Sequence, residues 1–194
     1  MRSITIIAGL VLGAALSAAG QPNTTLEGPS GDVAVTYEWL HSNTQPGQCG
    51  CFSFNETGLS SSWRFSSKYA AVIQGDAGFA SSGPGTGSTM TLVSGVGGIR
   101  YSLPSLFRSG RAPRFFAEVL AGGGHAGGGI AGAGDGSYGF VGRIGGGFDQ
   151  SIAERFALRL TADYVPTTFA NGVNDHQNNV LIGAGLVYRW SRLR

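Results

Sequence analysis

The sequence predicts an all-β protein, an eight-stranded antiparallel up-and-down transmembrane β-barrel. Three observations carry this. Past an apolar leader the chain has no run of 18 apolar residues, so helices are excluded as spanning elements and only a closed barrel could cross lipid. Eight stretches alternate with period two over about 9–13 residues, close to the length of a tilted transmembrane strand. On each stretch the charged residues fall opposite the apolar and aromatic ones.

The leader is read first. Met1-Arg2 is a positive start, Ile4 to Leu16 is apolar, and Ser17-Ala18-Ala19-Gly20 offers a small-residue cleavage site. Residues 1–20 are therefore expected to be a removed signal peptide, shorter in its apolar part than the roughly 20 residues of a spanning helix. The absence of Cys near the cut argues against a lipoprotein. Residues 21–31 are expected to form a periplasmic N-terminal segment, 32–190 the barrel, and 191–194 a short C-terminal extension. Glycine is the commonest residue at 34, while charged residues make up only 12%. With Arg2 removed, twelve basic residues face eleven acidic ones, a balance that predicts no nucleic-acid partner.

The strands are placed near 32–41, 57–66, 69–79, 89–101, 113–123, 137–149, 154–165 and 179–190, between Gly/Ser/Asn/Pro-rich links. The first sets Val33, Val35, Tyr37 and Trp39 against Asp32, Thr36 and Glu38. The second sets Leu59, Trp63 and Phe65 against Ser60, Ser62 and Arg64, and the third sets Ala71, Ile73, Ala77 and Phe79 against Gln74 and Asp76. In the fourth, Val93, Ile99 and Tyr101 oppose Ser94, Gly98 and Arg100. In the fifth, Phe115, Ala117 and Val119 oppose Arg114 and Glu118. The sixth opposes Tyr138, Phe140, Ile144 and Phe148 to Arg143, Gly145, Gly147 and Asp149. The seventh opposes Phe156, Leu158, Leu160 and Tyr164 to Arg155, Arg159, Thr161 and Asp163. The eighth opposes Val180, Ile182, Leu186, Tyr188 and Trp190 to Gly183, Gly185 and Arg189. Two residues break the pattern: Glu154 at the start of the seventh strand, and Phe116 on the polar side of the fifth.

A soluble barrel puts its apolar side chains inside. An eight-stranded lumen has no room for this many Trp, Tyr and Phe rings, so here the apolar face points to lipid. With strands alternating up and down, the aromatics gather at two levels, as interfacial girdles do. Trp63, Phe65, Tyr101, Phe115, Phe148, Tyr188 and Trp190 fall at one end, Trp39 and Tyr164 at the other. Short links near 66–69 and 150–154 belong on the periplasmic side; the longer 42–56, 80–88, 124–136 and 166–178 belong outside. The link 102–112 is long for a periplasmic turn, and its Pro104, Leu106 and Phe107 fit an apolar contact with the membrane surface.

The strand pattern, and above all Gly185-Leu186-Val187-Tyr188-Arg189-Trp190, resembles the small bacterial outer-membrane β-barrel family typified by the outer-membrane protein A transmembrane domain and outer-membrane protein X. The resemblance covers about residues 31–190 and implies a place in the outer membrane, with Gly185, Tyr188 and Trp190 as the signal read by the barrel-assembly machinery. Gly183 and the residues after Trp190 depart from the family's pattern. The likeness is architectural and brings no ligand with it.

The inward polar face holds the chemistry-bearing residues. Glu38, Asp76, Glu118 and Asp163, with Asp32 and Asp149, face Arg64, Arg100, Arg143, Arg159 and Arg189, with Arg114 and Arg155. Buried charges persist only when paired, so the expectation is a salt-bridged, closed lumen; a narrow ion path is the competing reading. Cys49 and Cys51, in the first outer loop, form a C-x-C pair with no further ligand for a metal. His41, His125 and His176 sit near strand tops or loops; His125 with Ser137 and Asp135 nearby has no triad spacing. The runs Gly122-Gly123-Gly124 and Gly132-Ala133-Gly134 precede no helix and read as flexible loop rather than nucleotide loops. The expected function is a structural or loop-mediated surface protein rather than an enzyme, with no cofactor or metal. Its expected partners are outer-membrane lipid, the assembly machinery and an unknown extracellular partner. A small-solute pore and a lipid-modifying enzyme are the alternatives.

Overall fold

The computed structural model describes residues 29–42, 52–80, 89–103, 112–128, 136–170 and 175–191. Within them the chain forms eight strands: β1 (Pro29–Ser42), β2 (Phe52–Arg64), β3 (Tyr69–Ala80), β4 (Met90–Ser102), β5 (Arg114–Gly127), β6 (Ser137–Ser151), β7 (Phe156–Thr167) and β8 (Gln177–Ser191). Each pairs antiparallel with its neighbour in sequence, and β1 pairs with β8 to close the barrel. Closure leaves no sheet edge with open backbone groups. The expected signal peptide, residues 21–28, Cys49, Cys51, Pro104, Leu106, Phe107, Asp135, the 132–134 glycine run and 192–194 lie outside the described residues.

Period-two alternation sets the walls. Val35 stands beside Leu59 of β2 and Leu186 of β8, and Val119 stands between Ile99 and Ile144, all on the outer surface. The next residues along each strand, such as Thr36, Glu38 and Glu118, are buried inside. Two connections at one end, the short-turn end, share a construction. The amides of Phe65 and Ser66 donate to the carbonyl of Tyr69, and those of Ile152 and Ala153 to the carbonyl of Phe156.

Several boundaries differ from expectation. β2 begins at Phe52 rather than 57, because Phe54 and Glu56 continue the inward parity of Gly58 and Ser60. β5 continues to Gly127, so Gly122-Gly123-Gly124 is strand, not flexible loop. At Gly122 a Cβ would strike the Gly95 carbonyl and the Val96 Cα, so glycine lets β5 lie close against β4. β7 begins at Phe156, which leaves Glu154 and Arg155 exposed in the turn; Arg155 is not a lumen residue and reaches Tyr188 Oη at 3.5 Å instead. β1 starts at Pro29, so residues 29–31 of the expected N-terminal segment are already in the sheet.

Aromatic side chains gather at both ends of the wall. At the short-turn end Phe65 stacks on Tyr69, Tyr69 meets Tyr101, Phe115 meets Phe148, and Phe156 meets Tyr188. Trp63 and Trp190 flank Gly31 there; a Cβ on Gly31 would collide with the Trp190 ring. At the long-loop end Trp39 stacks on His41, the Tyr37 hydroxyl donates to Asn55 at 2.5 Å, and that of Tyr164 donates to Asn178. Rings with an apolar body and a satisfied polar tip suit a membrane–water boundary.

The band between these levels calls for a non-aqueous solvent. Val119, 59% exposed at mid-wall, tests it directly. Val119→Arg should lower stability in phospholipid vesicles by about 2–4 kcal/mol, whereas Tyr138→Arg, at the rim, should cost about 0–1 kcal/mol. Urea titration of the folded and unfolded populations checks both.

Candidate functional site

The interior is stacked in three layers. Nearest the short-turn end is a basic one. Arg159 spans the lumen from β7, with Nε 2.8 Å from Asp149 Oδ1 and Nη2 3.2 Å from Asp32 Oδ1. Arg189 joins the same Asp149 at 3.0 Å and donates to Ser151 Oγ at 2.9 Å. Arg100 pairs with Glu118 at 2.8 Å, and Ser62 donates to Asp32 at 2.7 Å. Phe116, the aromatic that broke the outward pattern, is a lumen residue. The guanidiniums of Arg100 and Arg159 lie 4.4 and 5.1 Å from its ring centroid. Desolvated contacts of this kind contribute about 2 kcal/mol each.

The middle layer is acidic around one cation. Arg143 of β6 places Nη1 3.3 Å from Glu38 Oε2 and 3.2 Å from Asp76 Oδ2, and Nη2 3.0 Å from Asp163 Oδ2. Neutral donors complete the shell: Thr36 to Glu38 at 2.8 Å, Gln74 to Glu38 at 3.0 Å and to Asp76 at 2.7 Å, and Ser94 to Asp76 at 3.0 Å. Gly58 is required here, since a Cβ would come within 2.9 Å or less of Thr36 Oγ1, Asp76 Oδ1 and Glu38 Oε1. Glu56 is a fourth buried carboxylate of this layer, and its Oε1 has no hydrogen-bond partner among the described residues. Sequence reasoning missed it by placing it in a loop. Its even parity with Ser60 and Ser62 was the available signal, masked by the inward Phe54 beside it.

Above the carboxylates, toward the long loops, the lumen is mainly apolar, with the buried Ser42, Ser137, Thr167 and Asn179 among its side chains. Leu40, Phe54, Met90, Leu92, Val165, Phe169 and Leu181 belong to one buried cluster. This layer was not expected from the inward face, which had been read as polar throughout. Leu40, Met90, Leu92, Val165 and Leu181 lie on the inward parity of the expected strands, Phe54 in the added start of β2, and Phe169 just past the end of β7.

Of the residues expected in a lumen charge network, the structure brings Glu38, Asp76, Arg143 and Asp163 into one cluster, and Arg100, Glu118, Arg159 and Arg189 into the other. Arg64 is not joined to either: no ion pair of its side chain forms among the described residues, and it lines the open mouth of the barrel with the exposed Arg114. Tyr188 and Trp190 face outward and Gly185 inward, where a Cβ would strike the Val35 carbonyl and the Thr36 side chain. His125 and Ser137 lie on opposite faces of the wall. The His125 ring meets Tyr138, while the buried Ser137 hydroxyl accepts from the Ala170 amide at 2.8 Å. His41 bonds Ser53 at 3.1 Å. Among the described residues no group of His, Cys, Asp and Glu could hold a metal ion, and no helix is long and apolar enough to cross a membrane.

Removing the shared cation isolates the acidic layer. Arg143→Met should cost about 3–5 kcal/mol of stability, the scale for breaking a buried ion pair. The deficit should shrink as pH falls toward about 4, because protonation removes the uncompensated negative charges. Arg143→Lys should recover only part of the loss, since an ammonium cannot fork to three carboxylates. Urea unfolding at several pH values reads all three.

No family model and no curated protein matches the sequence. Among solved structures, the barrel is similar to Neisserial surface protein A with a TM-score of 0.65 and 12% identity, covering 84% of this chain and 100% of that one. It is similar to Ail, the attachment invasion locus protein of Yersinia pestis, with a TM-score of 0.52 and 12% identity, over 83% of this chain and 99% of that one. A further structure of Ail, in complex with the heparin analogue sucrose octasulfate, gives 0.50 at 13% identity, over the same 83% and 99%. Identities this low speak to fold alone. The chain has the fold of the small eight-stranded outer-membrane β-barrels, apolar on its outer wall and ionic within.

Proposed function

We propose that this chain is an integral outer-membrane barrel with a sealed lumen, acting through its wall and exposed loops rather than by passing solute. The observation that carries this reading is the stacked interior: two ion-paired layers beneath an apolar one offer no continuous wetted path. The leader at 1–20 supplies export and the Gly185, Tyr188 and Trp190 strand supplies recognition by the assembly machinery. The short turns then face the periplasm and the long loops the exterior. The opposed placement of His125 and Ser137 supports a non-enzymatic role.

The loop residues 43–51, 81–89, 128–136 and 168–176 contain no Lys or Arg. A sulfated polyanion such as the one bound to Ail finds no cation there, so the loops fit a partner met through amides, hydroxyls and apolar contacts.

Single-channel recording in planar bilayers should show no unitary conductance, and the membrane fraction should give two gel bands, folded and heat-unfolded. Discrete conductance steps would return the pore reading, and altered lipid A acylation in a deletion strain would return the enzyme reading. Intact cells displaying the protein should not bind heparin beads above background; salt-sensitive retention would overturn the account of the loops.

A further inference from the structure

The basic layer opens into a cavity of about 300 Å³ at the short-turn mouth, within the size of small-ligand pockets. Arg64, Arg100, Arg114, Arg159 and Arg189 line it, against only Asp32 and Asp149. Glu118 answers Arg100 from below the cavity floor, and Asp149, opposite Arg114 in the register, is already shared by Arg159 and Arg189, so five guanidiniums meet three carboxylates. The Arg114 guanidinium is repelled by Arg189 and Arg64 and attracted by Asp149. One further donor of this lining, Arg159 Nη1, is buried without a hydrogen-bond partner among the described residues, and Arg100 Nη1 reaches Asp32 Oδ1 only at 3.6 Å. Like charges gathered around the apolar surface of Phe116, where the effective dielectric falls, are unfavourable unless an anion joins them.

We propose that this mouth is a binding site for a phosphate group, carried by a free phosphate or by a lipid headgroup. Two uncompensated guanidiniums match a dianion, and forked guanidinium donors match the spacing of phosphate oxygens. The height fits as well. Tyr101, Phe115, Phe148 and Tyr188 ring the same end of the barrel, at the level where headgroups lie. Lys68 and Arg155 in the neighbouring turns add to the attraction. The long-loop end, without Lys or Arg, offers no counterpart. The site stands apart from whether the lumen conducts.

The test uses the refolded barrel in a maltoside detergent, which carries no phosphate. Inorganic phosphate should raise the unfolding temperature saturably over sodium chloride of equal ionic strength, and calorimetric titration should give a single site. The double variant Arg64→Gln/Arg114→Gln should bind phosphate at least about tenfold more weakly, the scale of one lost charge-assisted bond. Its stability without phosphate should equal or exceed that of the parent, because a repulsion has been removed. Phosphate acting no better than chloride, or binding equally to the variant, overturns the proposal. If the double variant does not fold, Arg114→Gln alone, at the exposed start of β5, makes the same comparison. Maltoside micelles doped with phosphatidic acid, compared with micelles doped to the same charge with a fatty acid, identify the source. Loss of the response to free phosphate with phosphatidic acid but not with the fatty acid assigns the site to a headgroup, and an undiminished response assigns it to free phosphate.

Discussion

Closing eight tilted strands leaves an interior just wide enough for side chains to fill, and every other feature of this barrel answers to that narrowness. An arginine admitted there cannot keep its water, so it must find carboxylates on other strands. Arg143 does so with partners on β1, β3 and β7 at once. Arg159 does so with β1 and β6. These ties fix strand height around the ring, because a two-residue slip of one strand would carry its charge into another layer. Desolvation offsets much of the Coulomb gain of such pairs, so their value lies more in specifying one register than in net stability.

Narrowness also sets where glycine stands. Inward positions opposite the largest polar side chains are emptied of side chain, as at Gly58 beneath Glu38 and Asp76, and at Gly145 against Asp163. At these positions glycine is a record of crowding inside the wall, whereas Gly95, with nothing within 4 Å of a Cβ, is free of it. The outer surface has the opposite rule. There, bulk is welcome, and the aromatic rings mark the two levels at which the surrounding solvent changes.

The period-two pattern made the fold legible, because alternation assigns a face without any knowledge of neighbours. Phe116 and Glu56 show where that legibility ends. An inward aromatic reads as a fault until the two guanidiniums that enclose it are known. A carboxylate next to an inward Phe54 reads as loop until the pairing of β2 with β1 is known. The layering was hidden for the same reason: the face is a property of one strand, but height along the barrel is a property of the register among eight. Arg64 and Arg143 share a face, and only their levels separate an open mouth from a buried cluster.

The distribution of inward charge along the chain bears on how the barrel forms. Asp32, Glu38, Glu56 and Asp76, with Arg64, come from β1 to β3, whereas Arg100, Arg114, Arg143, Arg159 and Arg189, with Glu118, Asp149 and Asp163, come from β4 to β8. A growing sheet thus carries negative charge on one arm of its concave side and mostly positive charge on the other. The second arm pairs partly within itself, Arg100 with Glu118, Arg143 with Asp163 and Arg159 with Asp149, and its remaining positive charge attracts the first arm across the gap. Curling is therefore favoured before the last hydrogen bonds between β1 and β8 can form. At the seam itself Asp32 and Arg189 stand side by side, so opposite charges face each other where the two terminal strands meet.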